Sequence, residues 1–365
     1  MVKPHPKTRP SEPSAAEWLR RARTEGSPVI DGERATFLWR GRSAPALIGD
    51  FMHWGREGQP PLTPRPLGPG LWACSLDLPR DAYIEYAWIR AGRRVPDPFN
   101  PRTTSNGLGE TNHAFYMPAA APTALARRVR GVPAGTLTRE TLPAGMLLLG
   151  GQRTVHFYQP PTPDPCPLLV VLDGQDYLRR ARLPVIVDNL IAQRRLRPVA
   201  LALVENAGGR ARMLEYACSE TTLAFLLYVL LPAARARLNL VDPAEQPGAY
   251  GILGASLGGL MALYAGLRAP GLFGRVLSQS GAFVMEGHPF VVWDLIRYEP
   301  RLPFHLWLDV GRFEWLLDAN QRLASLARDK AAGLVYREYP GGHNFTAWRD
   351  DLAHGLEALF GAQPR

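Results

Sequence analysis

A chain of 365 residues with a 46% hydrophobic share can build one large and one smaller domain, and it is too apolar for wholesale disorder. Charged residues make up an ordinary 21%; the formal charge of +9 comes from scattered arginines such as Arg20-Arg21-Arg23 and Arg127-Arg128-Arg130, without interleaved aromatics. No apolar run approaches the roughly 20 residues of a membrane helix, so neither nucleic acid nor membrane is an expected partner.

Residues 1–30 suggest a flexible or helical tail. The opening "MVKPHPKTRPSEPSAAEWLRRARTEG" is basic and proline-bearing, and it lacks the apolar segment of a signal peptide. Cys74, Cys166 and Cys218 are widely spaced and form no CxxC pair, as expected of reduced thiols. Both features point to a cytoplasmic protein. No feature sets an oligomeric state.

Residues 31–118 carry the signature of a small β-sandwich. "ATFLWRG", "APALIGDF", "GLWACSLDLP" and "AYIEYAWIRAG" alternate apolar and polar residues between Gly, Pro and Asp turns. Trp39, Trp72 and Trp88 sit inside strand patterns and are expected core. Trp54, in the loop "GDFMHWGREG", is the candidate ligand-facing aromatic. Residues 119–141 show no strand period and many Pro and Ala residues, which predicts a linker.

From residue 142 to 365 the pattern changes. The apolar strands "RTVHFYQPP", "PLLVVLDG", "PVALALVEN", "GAYGILG", "GRVLSQSG", "FHLWLDVG" and "LVYREYPGG" alternate with helical stretches near 183–194, 221–237 and 316–332 and a closing helix to Phe360. The fold class this predicts is α/β, an α/β-hydrolase fold with a mostly parallel sheet covered by helices on both faces, preceded by the all-β sandwich. Sites in such sheets form at the carboxyl ends of the strands.

One such end reads Gly254-Ala255-Ser256-Leu257-Gly258, a GxSxG between a strand and a helix. The glycines give room for a sharp turn, and the helix N-terminus offers N–H groups to a developing oxyanion. A plain tight turn would explain the glycines but not the partners that follow. Serine needs a base, and His343 in "YPGGHNF" lies between the last strand and the last helix. The acid that orients it is expected after "FHLWLDVG", where Asp309 and Glu314 both stand, with Asp318 further on. Glu314 lies on the loop beyond Gly311 and is preferred. The amides of Leu257 and, after Asp173-Gly174, of Gln175 are the expected oxyanion donors. No HExxH, paired CxxC or phosphate-binding glycine loop is present, so no metal and no cofactor is expected.

The segments "GDFMHW", "DPFNP", "RTVHFYQPP", "VVLDGQ", "RARMLEY", "GASLGGLMAL", "LDVGRFE" and "YPGGHNFTAWRDDL" together resemble the enterochelin (enterobactin) esterase family of esterase D-like α/β-hydrolases. The resemblance runs from Ala35 to Phe360. It implies an immunoglobulin-like front domain that caps the substrate pocket. It also implies hydrolysis of the ester bonds of a tricatecholate siderophore, usually as its ferric complex, to release iron in the cytoplasm. On the same basis Ser256 and His343 are nucleophile and base, the segment of Arg212 and Glu215 borders the substrate, and the partner is an anionic small molecule. Arginines suit such a ligand, since they pair with anionic oxygens and stack on aromatic rings. "RMLEYACSE" departs from the family in placing Cys218 and Ser219 where relatives tend to carry Asn. Two rival readings are a feruloyl or acetyl esterase acting on sugar or aromatic esters, for which the Trp54 loop would bind glycan, and a non-catalytic binding protein on the same shell.

Overall fold

The chain is known from a computed structural model that describes residues 13–107 and 109–362; residues 1–12 of the expected tail lie outside them. Two contact units divide it, Met1–Ala121 and Pro122–Arg365.

Among the described residues the first unit opens with a helix, α1 (Ala15–Glu25), within the stretch expected to be a flexible or helical tail. The sequence Ser14-Ala15-Ala16-Glu17 explains its start: the Ser14 hydroxyl accepts the Glu17 N–H at 3.2 Å. Ala15, Trp18, Leu19 and Ala22 then recur on one face and pack on the sheet beneath, where Ala22, Val29, Leu38, Leu71 and Ala73 form a buried cluster. The helix therefore belongs to the front unit. Among the described residues nine strands follow: β1 (Val29–Asp31), β2 (Arg34–Arg40), β3 (Ala46–Gly49), β4 (Arg65–Gly68), β5 (Leu71–Asp77), β6 (Tyr83–Arg90), β7 (Arg93–Val95), β8 (Thr103–Ser105) and β9 (Thr111–Tyr116).

They make two antiparallel sheets, β1-β2-β5-β4 and β3-β6-β9-β8, with β7 added beside β6. The sheets face each other through aromatic contacts: Phe37 of β2 meets Tyr86 of β6 at 4.8 Å, and Trp39 meets Trp88 at 5.6 Å. Trp72 instead faces outward, half-buried, with its indole donating to the Gly41 carbonyl at 3.0 Å. The "DPFNP" segment is structural. Buried Asp97 accepts from the Tyr86 hydroxyl at 2.7 Å and the Trp88 indole at 2.9 Å, which satisfies both polar groups inside the core.

In the second unit an eight-stranded mixed sheet runs in the order β10-β11-β13-β12-β14-β15-β18-β19. Its members are β10 (Thr136–Pro143), β11 (Gln152–Gln159), β12 (Leu168–Val171), β13 (Ala200–Val204), β14 (Tyr250–Ala255), β15 (Phe273–Gln279), β18 (Leu302–Gly311) and β19 (Ala331–Tyr339). A two-stranded ribbon, β16 (Val284–Met285) with β17 (His288–Pro289), lies off the sheet. β10–β11 and β11–β13 pair antiparallel, and every later pair in the sheet is parallel. Thr136–Pro143 was expected to end a linker. It is an edge strand instead, exposed along most of its length, so no buried face marks it in the sequence. β12, β13 and β14 are buried at every residue, as strands covered on both faces must be.

The helices are α2 (Gly174–Arg179), α3 (Leu183–Ala192), α4 (Gly209–Tyr216), α5 (Glu220–Phe225), α6 (Leu231–Arg235), α7 (Leu257–Arg268), α8 (Val292–Tyr298), α9 (Leu317–Ala327) and α10 (Phe345–Phe360). A π-helical turn, Leu226–Leu230, joins α5 to α6 where one helix is expected. No single helix among the described residues is long and apolar enough to cross a membrane.

Glycines let α7 lie against the strands that hold it. A Cβ on Gly254 would collide with the Gly258 carbonyl, and one on Gly266 with the Val276 side chain. Backbone cannot yield as a side-chain tip can. Gly254→Ala is therefore expected to cost about 2–3 kcal/mol, read as a Tm lowered by roughly 5 °C or more in a thermal melt.

Candidate active site

β14 ends at Ala255 and α7 starts at Leu257, so Ser256 alone makes the turn between them, at φ 59° and ψ −121°. This is a costly conformation for a residue with a side chain. Backbone hydrogen bonds fix it from both sides. The Ser256 N–H donates to the Gln279 carbonyl at 2.9 Å, and its carbonyl accepts from Leu260 and Ala282 at 3.0 Å. The Leu257 amide opens α7, where N–H groups have no partner within the helix.

His343 stands between β19 and α10. The Gly341 Cα packs so closely that a Cβ there would lie 2.9 Å from the Ala347 side chain, and Asn344 caps α10 by accepting the Ala347 N–H at 2.9 Å. The imidazole lies between Trp315 and Trp348, with ring centroids 4.7 and 4.9 Å away. Its Nδ1 is 2.6 Å from Glu314 Oε2. The Glu314 side chain is 0% exposed. Its other oxygen, Oε1, accepts from the Ser280 hydroxyl at 2.6 Å, the Gly311 N–H at 2.9 Å and the Tyr339 hydroxyl at 2.9 Å. Burial, and then the Glu314 charge, push the Tyr339 phenol well above its usual range, so it remains a donor. Such an imidazole, held at Nδ1 by a carboxylate, is arranged to exchange a proton through Nε2.

Asp309 bonds elsewhere. Its Oδ2 accepts from the Trp307 indole at 2.8 Å and the Gln279 amide at 3.2 Å. Complete burial, and secondly the charge of Asp351, drive its carboxyl well above the usual range and favour its protonated form. Asp318 lies on α9 and pairs with Arg322 at 2.7 Å.

Asp173, at φ 55°, turns the chain from β12 into α2, whose first turn holds Gln175. The Gln175 side chain accepts the Asn206 N–H at 2.9 Å, tying this loop to the end of β13. Arg212 grips Asp173 with two donors, at 2.7 and 2.6 Å, and reaches the Ala255 carbonyl at 3.3 Å. The guanidinium expected to face a ligand thus braces the Gln175 turn against the strand that carries Ser256. Glu215 corrects its expectation further. It is buried, paired with buried Arg153 at 2.6 Å, and accepts the Leu149 N–H at 3.0 Å, so it is scaffold rather than pocket wall. One turn of α4 separates the two residues and turns both inward. Trp54 belongs to the front unit. His53 and Trp54 both take positive φ there, the Trp54 indole donates to Asp50 at 2.8 Å, and the Arg94 guanidinium lies over its ring at 5.0 Å.

Ser280, Tyr339, Gln279 and Trp348 complete the buried network around Glu314, and the sequence assigns no role to any of them. Single hydroxyls and amides carry no spacing signal; only the "YPGGHNFTAW" run hints at Tyr339 and Trp348. Among the described residues no cluster of His, Cys, Asp or Glu is arranged to hold a metal ion.

A strand–serine–helix turn on a largely parallel sheet, with a loop histidine and buried carboxylate, defines an α/β-hydrolase-like carboxylic ester hydrolase. The putative esterase family profile matches residues 148–359, more than half of the chain, and the chain belongs to that family. It is 27% identical to the iron(III) enterobactin esterase of Dickeya dadantii, over 96% of this chain and 94% of that protein. It is 29% identical to the iron(III) enterobactin esterase of Escherichia coli O6:H1, over 73% and 67%. The crystal structure of the ferric enterobactin esterase of Salmonella typhimurium shares the fold, with a TM-score of 0.79 at 24% identity over 95% of this chain and 98% of that one.

Arg212→Ala would leave Asp173 buried without its counter-ion and is expected to cost about 2–3 kcal/mol, the guanidinium being partly exposed. Urea denaturation without any ligand reads that loss, which a purely substrate-facing arginine would not produce. Asp309 binds its proton more tightly in the folded than in the unfolded chain, so ionising it opposes folding as pH rises above the unfolded value, about 3.9. Asp309→Asn is therefore expected to gain stability over the wild type progressively as pH rises above about 4, checked by urea midpoints at several pH values.

Proposed function

We propose that the protein is a cytoplasmic serine esterase that hydrolyses the ester bonds of a tricatecholate siderophore of the enterobactin type, as its ferric complex, so that the iron can be released. The observation that carries the reaction is the His343–Glu314 hydrogen bond, 2.6 Å long, on loops that follow the Ser256 turn in chain order. The substrate class is supported by the likeness to the Dickeya dadantii enzyme over 96% of this chain, front unit included. The front unit, with its two facing antiparallel sheets, is an immunoglobulin-like domain on this reading and limits which esters are accepted.

In this mechanism His343 Nε2 takes the Ser256 proton as the serine oxygen adds to the ester carbonyl. Glu314 holds the ring by Nδ1 and stabilises the imidazolium. The amides of Leu257 and Gln175 receive the oxyanion, at the starts of α7 and α2. His343 then protonates the departing alkoxide, leaving an acyl-enzyme. Water, giving its proton to the same imidazole, releases the acid and restores Ser256.

Chromatography with mass detection on ferric enterobactin tests this. The wild type is expected to yield linear trimer, dimer and monomer of dihydroxybenzoylserine, and Ser256→Ala none. Glu314→Ala is expected to lose on the order of 10³-fold in kcat. Undiminished turnover by Ser256→Ala would sink the mechanism. Hydrolysis of a feruloyl or acetyl ester with no cleavage of the siderophore would keep the triad and replace the substrate.

A further inference from the structure

Gln279 ends β15 at the centre of the site, Ser280 follows it, and both are fully buried. The Gln279 carbonyl accepts the Ser256 N–H. Its side-chain oxygen accepts the Tyr177 hydroxyl from α2 at 2.9 Å, and its amide donates to the Trp348 carbonyl on α10 at 3.2 Å. Ser280 continues the same frame to the acid. We propose that Ser280 is a positioning residue: its hydroxyl, aimed by the Trp348 indole, donates to Glu314 and sets how strongly that carboxylate holds His343. The proposal rests on the Ser256–His343–Glu314 reading above.

The donor inventory fixes the direction of the Ser280 proton. Ser280 Oγ has three neighbours: Trp348 Nε1 at 2.8 Å, Glu314 Oε1 at 2.6 Å and Tyr339 Oη at 2.9 Å. The indole can only donate, so it occupies an acceptor site on Oγ and turns the hydroxyl proton away from itself. Tyr339 keeps its own proton and has the same carboxylate oxygen at 2.9 Å. The Ser280 proton therefore goes to the nearer and more basic acceptor, Glu314 Oε1. No solvent competes for it.

The backbone supports a functional reason for the serine. Ser280 sits at φ 47°, a region that favours glycine, although glycine is the next residue along. Its N–H donates to the Asp309 carbonyl at 2.7 Å, locking β15 to β18 just where the acid loop departs. Strain kept at a residue whose side chain meets the acid points to a need for the hydroxyl. Trp348 closes the circuit. The same indole that orients Ser280 packs edge-on against the His343 ring, at 84° between planes. His343, Glu314, Ser280 and Trp348 thus form one ring of contacts, so the acid and the base are held in register from two directions.

Removing the Ser280 hydroxyl takes a donor from the carboxylate, which then holds its proton partner more strongly and favours the imidazolium. The base is consequently protonated up to a higher pH, and the acid limb of kcat/KM moves upward. Ser280→Gly is the first variant, because glycine tolerates the backbone and keeps the fold; Ser280→Ala is the second. Both are expected to raise the acid-limb pKa by about half a unit or more and to lower kcat at pH 8 by about tenfold, with KM within about twofold. Trp348→Phe, which keeps a ring but removes the donor, is expected to shift the limb in the same direction by less.

Labelling of Ser256 by a fluorophosphonate, run alongside, separates the two readings. A wild type that labels while Ser280→Gly keeps the wild-type pH profile overturns the role of Ser280 and leaves the triad standing. A glycine variant that restores full activity where alanine loses it assigns the effect to backbone strain and also overturns the role. A wild type that does not label at Ser256 removes the triad, and this proposal with it.

Discussion

One unfavourable backbone conformation governs the catalytic unit: Ser256 at φ 59°, held there by contacts that no side chain could share. Gly254 and Gly258 touch through the turn, so β14 can pass straight into α7. Neighbouring elements exist in relation to that turn. β15 clamps it through the Gln279 carbonyl and Ala282 N–H, and α4 reaches it through Arg212 and the Ala255 carbonyl. The energy to hold such a turn comes from the buried strands around it, since a local segment alone would relax.

The same unit answers four times the problem of charge without water. Arg153 neutralises Glu215 and Arg212 neutralises Asp173, in each case with the carboxylate buried. Glu314 keeps its place by accepting three hydrogen bonds on one oxygen and facing His343 with the other. At Asp309 complete burial, and next the charge of Asp351, favour the protonated form. The two acids also differ in their donors. The strand end gives Asp309 an indole and an amide, whereas the turn beyond Gly311 gives Glu314 a backbone N–H, a serine and a tyrosine.

What was legible in the sequence followed periodicity and spacing. The strands from "PLLVVLDG" onward are apolar throughout because both faces are covered, and the GxSxG sits where strand passes to helix. Glu314 was distinguishable from Asp309 only by its place beyond Gly311; it is the carboxylate that meets His343 Nδ1. α2, α4 and α8 are too short to show a period, and β10 is too exposed to show a buried face. α1 falls within the stretch read as a flexible or helical tail; its cap and apolar stripe fit a helix, while its packing on the sheet is not legible from the proline-bearing residues before it. Glu215 marks the limit of motif transfer. A motif gives the residue and its neighbourhood, while burial decides whether its charge meets a ligand or another side chain.

The enclosure of Glu314 has a consequence for how the protein responds to its medium. A carboxylate with no exposed surface, facing an imidazole whose side chain is 14% exposed, lies beyond the reach of mobile ions. Dissolved salt screens charges that project into water over distances of about 8–10 Å. On the mechanism proposed above, raising the ionic strength would therefore weaken any long-range attraction of an anionic ligand to the surface arginines and leave the proton transfer to His343 untouched. Capture and chemistry answer to different physics, and the salt dependence of kcat/KM set against that of kcat would report on each alone.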